Sequence, residues 1–472
     1  MTSPVKSPVF GNSQDLHEFV PAYAEAFPED VLQFNDPVLP IEDITAIVWE
    51  LARQNRDELL VFKKVEQLGV EVVTNMFASR TRIARLVGAD LADLHSTYDA
   101  KARNLLEPRT LSDGPVLEHV VGVGEVDLTT LPLLTHFSSD KAPYITSGVV
   151  IVEDSNGSGN MSYHRAMVDS PTTLATSLHS RGHLWRRMMV AAEEERELPV
   201  VLVIGGHPLF LLAASARVPA DVDERQVAGG LMGAPLDVVR TPLLGFRVPA
   251  TADFVLEGFI DPKREVEEGP FGEFTGYSSD RSTHTLLRVE SVLQRTHPIL
   301  ADVVGGNSAE HLNLSRIPRE SEMAQKLKDR FPSVTGVHYP NSGTHFHCYV
   351  SVRQRRPGEA RQVMLGLLGW DPYLKTVIAV DDDVDITNDQ EVLWALATRF
   401  QPAQDLFVVD GLPGSALDPS SSSVGTTSRI GLDATRGPGF EGTRIQLSDS
   451  STEKARGLIA RIAVERGFPH QG

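Results

Sequence analysis

Between about Val116 and Val304 the chain consists of short apolar runs interrupted by clusters of glycine, proline, aspartate and serine. Gly148-Val149-Val150-Ile151-Val152 and Val200-Val201-Leu202-Val203-Ile204 are two of them. Runs this short, rich in β-branched residues and bounded by turn formers, predict buried strands of a sheet or barrel. A helix is predicted to be inserted near residues 184–197.

The flanks read differently. Ile44, Ile47, Val48 and Leu51 fall at i, i+3, i+4 and i+7 and predict a helix with one buried stripe. Pro21 interrupts an earlier helical pattern, as its kink or its start. Residues 59–62 and 70–73 read as strands and 80–86 as a helix. Beyond the central region, 320–330 reads as a connecting helix. Strands follow at 345–352 and 376–380, with helices at 358–368 and 391–400. Residues 415–439 are rich in Ser, Gly, Thr and Pro and read as a long loop. Residues 450–467 predict an amphipathic helix with Ala455, Leu458, Ile459 and Ile462 on one stripe. That stripe suits a partner subunit or its own domain, and the residues leave both open.

Bulk properties exclude several classes. A chain of 472 residues has room for two or three domains. A net charge of −19 lacks the basic stripe that nucleic acid requires. Cys348 is the only cysteine, so there is no intrachain disulfide and no cysteine-rich zinc site. Residues 1–14 show no signal-peptide pattern, and no apolar run nears the roughly 20 residues a membrane span needs. A cytoplasmic protein without a membrane partner is expected. Dinucleotide, Walker and Gly-x-Ser-x-Gly motifs are absent.

Two segments carry chemistry. Glu268-Gly269-Pro270-Phe271-Gly272-Glu273 sets two carboxylates five residues apart on one tight turn. About a hundred residues upstream, Asn160-Met161-Ser162-Tyr163-His164-Arg165 adds an amide, a hydroxyl and a guanidinium. Two close carboxylates do not both ionise cheaply. An arginine between them would keep one ionised and leave the other to carry a proton. The residues alone leave this proton-transfer reading level with a solvated turn and a structural salt bridge. His345 and His347 alternate along a predicted strand and suit a metal, but without a third ligand a buried structural pair is the better reading. Asp381-Asp382-Asp383-Val384-Asp385 lacks the glycine and glutamate of a calcium loop and reads as a solvated strand end. His207 reads as structural.

Taken together, these stretches resemble the UbiD family of decarboxylases, which use prenylated FMN (prFMN). The likeness runs from about residue 40 to 440. It rests on residues 160–165, on Val248-Pro249-Ala250-Thr251-Ala252-Asp253-Phe254-Val255-Leu256-Glu257-Gly258, on the run from Glu268 to Tyr277, and on Gly431-Leu432-Asp433-Ala434-Thr435. The resemblance implies an α/β fold of the α+β kind, with a central flavin-binding split β-barrel between an N-terminal α/β domain and a C-terminal α/β oligomerisation domain. The expected boundaries are 1–115, 116–305, a connecting segment and helix at 306–335, 336–449, and a terminal helix at 450–472.

The family likeness also implies roles. Arg165, Glu268 and Glu273 match its catalytic network, with Glu273 as proton donor. Asn160, Met161, Ser162, Arg165, His183 and Asp237 fall where the cofactor binds. Asn160, His183 and Asp237 match the ligands of a divalent metal that meets the cofactor phosphate, manganese with magnesium as the alternative, and potassium nearby. His179 is the runner-up for His183, and Asp237 departs from the more usual Glu. A UbiX-type flavin prenyltransferase would supply the cofactor, and a homo-oligomer is implied, a dimer before a hexamer. The expected reaction is reversible, non-oxidative decarboxylation of a small carboxylic acid with release of CO2. His311, Asn313 and Leu314 are expected to line the substrate pocket. Buried donors there favour an aromatic or heteroaromatic acid of the indole- or pyrrole-carboxylate type. The alternatives are a cinnamate-like α,β-unsaturated acid, a non-catalytic flavin-binding subunit, and a metal hydrolase built on His345 and His347.

Overall fold

Alternate residues of the central strands face two different cores. Val149, Ile151, Val201 and Val203 belong to one apolar cluster, and Val150, Val152, Val200, Leu202 and Ile204 to another. A sheet covered on both faces needs apolar side chains at every position, which accounts for the uninterrupted runs. The structure, a computed structural model, describes residues 13–154, 157–179, 182–280, 282–421 and 425–465. Most of the segment read for a leader, and the last two residues of the predicted terminal helix, lie outside these.

The main sheet has nine strands among the described residues, all antiparallel. Its order is Tyr144–Ile145, Ala166–Ser170, Thr173–Thr176, Thr285–Gln294, Phe254–Glu265, Leu198–Ile204, Val149–Glu153 and Gly159–Tyr163, with His119–Val121 paired onto Thr285–Gln294. The connectivity forces a curl. The chain leaves Gly159–Tyr163 at one edge and enters Ala166–Ser170, second from the other edge, after only His164 and Arg165. In a flat sheet six strand spacings would separate them by about 29 Å. Three residues of extended chain reach about 11 Å. The sheet therefore rolls into a half-barrel, and Arg165 sits in its seam.

The N-terminal sheet is Val31–Phe34, Leu59–Phe62, Glu71–Thr74 and Ile299–Ala301. Its last strand arrives from the half-barrel and pairs parallel to Glu71–Thr74, tying the two regions together. The predicted helices at 44–51 and 80–86 are present as Asp43–Arg53 and Arg80–Val87. Pro21 lies inside the helix Leu16–Ala26. The C-terminal sheet runs Val334–His338, His347–Val352, Thr376–Asp381, Thr426–Ala434 and Leu406–Pro413, parallel in the middle and antiparallel at both edges. Contacts divide the chain into Met1–Thr435 and Arg436–Gly472. In the second unit, the helix Asp449–Glu465 leaves Leu458, Ile459 and Ile462 exposed.

Four expectations change. The inserted helix is His183–Glu193, because the polar run to Glu197 gives way to a strand at Leu198. The connecting helix is Ala309–Arg330, eleven residues longer at its start. Pro318 lies inside it, and the helix continues through the proline, capped by Ser308 and packed through Leu314 and Ile317. The predicted loop at 415–439 contains Thr426–Ala434, an inner strand whose neighbours on both sides outweigh its weak propensity. His345 precedes the strand His347–Val352, so the two histidines do not alternate along it. Among the described residues no helix is long and apolar enough to cross a membrane.

Candidate active site

The acid loop is shaped before its carboxylates are placed. After Phe254–Glu265 the chain turns through Gly269, whose φ of +99° strains any L side chain. It then forms Phe271–Gly272 against Ser278–Ser279. A Cβ at Gly272 would collide with the ring of Phe137. The Gly272 N–H donates to Asp140 Oδ1 at 3.1 Å, and the Gly272 carbonyl accepts from Gly306 N at 3.0 Å. Glu273 N donates to Tyr277 O at 3.0 Å. Both carboxylates are thus held by backbone that is itself pinned.

Arg165 reaches from the seam to both acids. Its Nε and Nη2 donate to Glu268 Oε1 and Oε2 at 2.8 and 3.0 Å, a bidentate pair, and its Nη1 donates to Glu273 Oε1. Phe271 lies beneath the guanidinium, 4.6 Å from ring centre to Cζ. Tyr144 donates to Glu268 Oε1 at 3.0 Å. Glu268 and Glu273 are 2% and 3% exposed. Burial pushes the Glu273 carboxyl up, Arg165 pulls it part of the way back, and the Glu268 charge raises it again. Burial alone would lower the Arg165 guanidinium, but the carboxylates outweigh it and hold it raised. The arrangement favours a proton on Glu273, which is what a general acid needs.

A second cluster lies one strand away. Asn160, on the edge strand Gly159–Tyr163, donates through Nδ2 to Glu224 Oε1 at 2.8 Å and lies 3.4 Å from His183 Nδ1. His183 and Glu224 are each the first residue of a helix, His183–Glu193 and Glu224–Met232. Glu224 also accepts from Met161 N at 2.8 Å. Burial pushes its carboxyl up to about 7, against the two hydrogen bonds. Neighbouring Asp223 and Glu153 are ion-paired to Arg225, whereas Glu224 has no ion pair among the described residues.

Asp237 is a correction. It pairs with Arg109, at 2.6 and 2.7 Å, on a separate three-stranded sheet, and Glu224 takes the place expected for it beside Asn160 and His183. Asp223-Glu224-Arg225 opens a helix thirteen residues earlier, and Asp237's departure from the family Glu was the signal available for finding it. Met161 contributes its N–H while its side chain joins the core. Ser162 Oγ is engaged by His164 Nε2 at 3.0 Å. His179, the runner-up ligand, pairs instead with the Tyr373 hydroxyl at 2.8 Å.

The expected pocket residues separate. Asn313 spends both N–H groups on Phe77 O and Ala78 O, at 2.9 and 2.8 Å, and Leu314 packs into an apolar cluster. Both face the N-terminal region, because the chain is already helical here, ahead of the expected start at 320. His311 lies on another face, in line with Ser315 and Arg319 at i+4 and i+8. Its Nδ1 meets Gly306 O at 3.0 Å, and burial, with the nearby Arg165 and Arg316 charges, lowers its proton affinity. Next to Glu273, the Phe274 ring packs on buried His345 at 4.5 Å and on Tyr373 at 6.2 Å. Arg319 lies 4.7 Å over Tyr373. Arg319 Nε lies 3.5 Å from buried Asp371 Oδ2, an ion pair without hydrogen-bond geometry, and Arg319 Nη1, His345 Nδ1 and Thr344 Oγ1 have no hydrogen-bond partner among the described residues. His207 caps the helix Pro208–Ala213, a structural role. Asp381 and Asp383 are ion-paired to Arg399 rather than merely solvated.

A curled half-barrel with a buried acid–arginine–acid set at its seam is the frame of this chain, and most of its length, between residues 27 and 434, matches one enzyme family. Descriptions of the 3-octaprenyl-4-hydroxybenzoate carboxy-lyase, UbiD, fit its N-terminal domain to residues 27–100, its Rift-related domain to 109–308 and its C-terminal domain to 313–434. Anhydromevalonate phosphate decarboxylase of Methanosarcina mazei is 31% identical over 407 residues, 86% of this chain and 93% of the relative. The UbiD-class enzyme HmfF of Pelotomaculum thermopropionicum, solved with FMN, is 32% identical with a TM-score of 0.86, covering 92% of this chain and 98% of its own. An evolved dimeric form of that enzyme, solved with prFMN, is 29% identical with a TM-score of 0.82, covering 93% and 100%. The chain belongs to the UbiD family and is a decarboxylase of that family.

Proposed function

We propose that this decarboxylase acts reversibly and without net oxidation on a conjugated carboxylic acid, using prFMN, with Glu273 as the proton donor. The buried Glu268–Arg165–Glu273 network is the observation that carries the reading. Bound prFMN supplies the electron sink that no side chain offers when CO2 departs. Arg165 orients both acids and offsets one charge. Glu268 stays paired with it. Glu273 gives its proton to the carbon that lost the carboxylate, and the buried loop keeps water from competing.

Asn160, His183 and Glu224 are the residues that would hold a divalent cation against the cofactor phosphate. The fit rests on Glu224, a buried carboxylate with only neutral donors around it. A cation would supply the missing charge, and a half-turn of the Asn160 amide would present its oxygen. Oxygen donors with one imidazole suit manganese, with magnesium the alternative. Potassium, a UbiX-type flavin prenyltransferase as cofactor source, and a cytoplasmic site of action belong to the same proposal. Exposed Leu406 and Val408 on an edge strand, and separately the Leu458, Ile459 and Ile462 stripe, support a homo-oligomer, a dimer in the first instance.

For the substrate, Asn313 and Leu314 are turned away, and of the three expected pocket residues His311 alone stays a candidate. Buried Arg319, whose one ion pair among the described residues is to Asp371 at 3.5 Å, and the open His345 Nδ1 beside Phe274 favour an acid with a second polar or anionic group, on an unsaturated or heteroaromatic frame. A phosphorylated relative's substrate, as the name anhydromevalonate phosphate decarboxylase indicates, is of this kind. The test is CO2 release by protein co-expressed with a flavin prenyltransferase and supplied with manganese and potassium. The panel pairs pyrrole- and indole-carboxylates, cinnamate and a phosphorylated enoic acid with analogues that lack the second group. Release that requires both the prenyltransferase and the second group supports the full proposal. Release from cinnamate alone overturns the substrate class, and prenyltransferase-independent release overturns the cofactor.

A further inference from the structure

We infer that Tyr144 decides which of the two acids holds the catalytic proton, by engaging Glu268 so fully that the proton is left to Glu273. The inference rests on the proton-donor reading of Glu273 and adds a positioning residue to it. The geometry is asymmetric. Glu268 accepts three hydrogen bonds, two on Oε1 from Tyr144 and Arg165 Nε and one on Oε2 from Arg165 Nη2. Glu273 accepts one, on Oε1 from Arg165 Nη1, and among the described residues no hydrogen bond reaches its Oε2. A proton on Glu268 would displace the phenol or face the guanidinium. A proton on Glu273 Oε2 displaces nothing.

Tyr144 is built into this position. It begins the edge strand that pairs with Ala166–Ser170, opposite Met167, so it is anchored to the strand that follows Arg165. Its ring is 1% exposed and packs on Phe271, between the two acids in sequence, at 4.7 Å. Among the described residues, the charged and titratable groups that act on the phenol and the acids are Glu268, Glu273, Arg165 and Asp140, with His311 close enough to Arg165 to feel its charge. Burial and the Glu268 charge hold the phenol well above its ordinary range, so it remains a donor at every working pH.

The test is Tyr144→Phe, which removes the donor and keeps the ring. A hydrogen bond to a carboxylate changes its proton affinity by roughly tenfold or more. Part of the singly protonated population then carries its proton on Glu268 and is unproductive. Plateau kcat is expected to fall several-fold with KM unchanged. The alkaline limb of kcat should move to higher pH by the logarithm of the same factor, so that variant and wild type converge at high pH. A uniform loss with an unmoved limb, as a structural role would give, overturns the inference, and so does an unchanged profile. A second readout needs no turnover. Infrared spectra of cofactor-free protein should show a protonated-carboxyl band lost in Glu273→Gln. In Tyr144→Phe a second component should appear that Glu268→Gln removes. A Glu273 component, defined as what Glu273→Gln removes, that is unchanged in Tyr144→Phe with no Glu268 component added overturns the inference even if the decarboxylation proposal fails on its own assay.

Discussion

The acid–arginine set and the Asn160–His183–Glu224 cluster both bury carboxylates, and they differ in what offsets the charge. Glu268 and Glu273 share one guanidinium, so a single proton makes the set neutral. Glu224 meets an amide and a backbone N–H, both uncharged, and is pushed up to about 7. One residue type therefore serves two purposes in neighbouring places. Where a fixed cation is built in, the remaining acid can trade a proton. Where none is built in, the proposed added cation would supply the charge.

Four substitutions break or sharpen this contrast. The largest effect is expected from Glu273→Gln, which keeps the shape and removes the transferable proton. Turnover should fall by about 10²–10⁴-fold with the cofactor retained, measured as CO2 release alongside flavin absorbance. Unchanged turnover would remove Glu273 as donor.

Glu310 offers a control, a buried carboxyl with neutral donors but outside both clusters. It accepts from Thr74 Oγ1, Asn75 N and Phe77 N, and burial pushes it up to about 7. A raised folded value means that its stabilising share is complete below the unfolded value near 4.5 and is lost as pH rises through 7. Glu310→Gln should remove about 3 kcal/mol of that pH dependence, read from denaturant unfolding at pH 5 and pH 8. Equal slopes in variant and wild type would refute it.

Glu224→Ala comes next. Manganese affinity should drop by about 10–100-fold or more, with fold and acid–arginine network intact, as measured by calorimetry and by flavin retention. Full metal and flavin occupancy would end the cation reading of that cluster. Asp237→Ala is the smallest. It breaks a partly exposed pair with Arg109, so the loss should stay below about 1 kcal/mol with metal binding unchanged. A metal defect in this variant would reinstate Asp237 and undo the contrast.

The legible and illegible parts of the molecule divide along physical lines. The acid loop was readable because its spacing, glycines and carboxylates lie within six residues. The central strands were readable because burial on both faces leaves residues 149–152 and 198–204 without polar positions. The strand Thr426–Ala434 was not, since Thr, Ser, Arg, Gly and Asp carry little strand preference and its neighbours on either side hold it. The pocket failed for a related reason. The connecting helix was expected only from 320, and once it starts at Ala309 its periodicity turns Asn313 and Leu314 away from His311.

By itself the sequence determined the local chemistry: a guanidinium segment, a constrained two-acid turn, and a centre made of strands. Local bonding and periodicity are enough for that. Only the tertiary structure decided which distant groups meet. Glu224 and Asp237 lie thirteen residues apart, and each follows a stretch that gives no hint of its destination. One opens a helix that packs beside the edge strand carrying Asn160, and the other joins a different sheet. Which carboxylate stands beside Asn160 and His183 is set by that packing, and packing is a property of the folded chain as a whole.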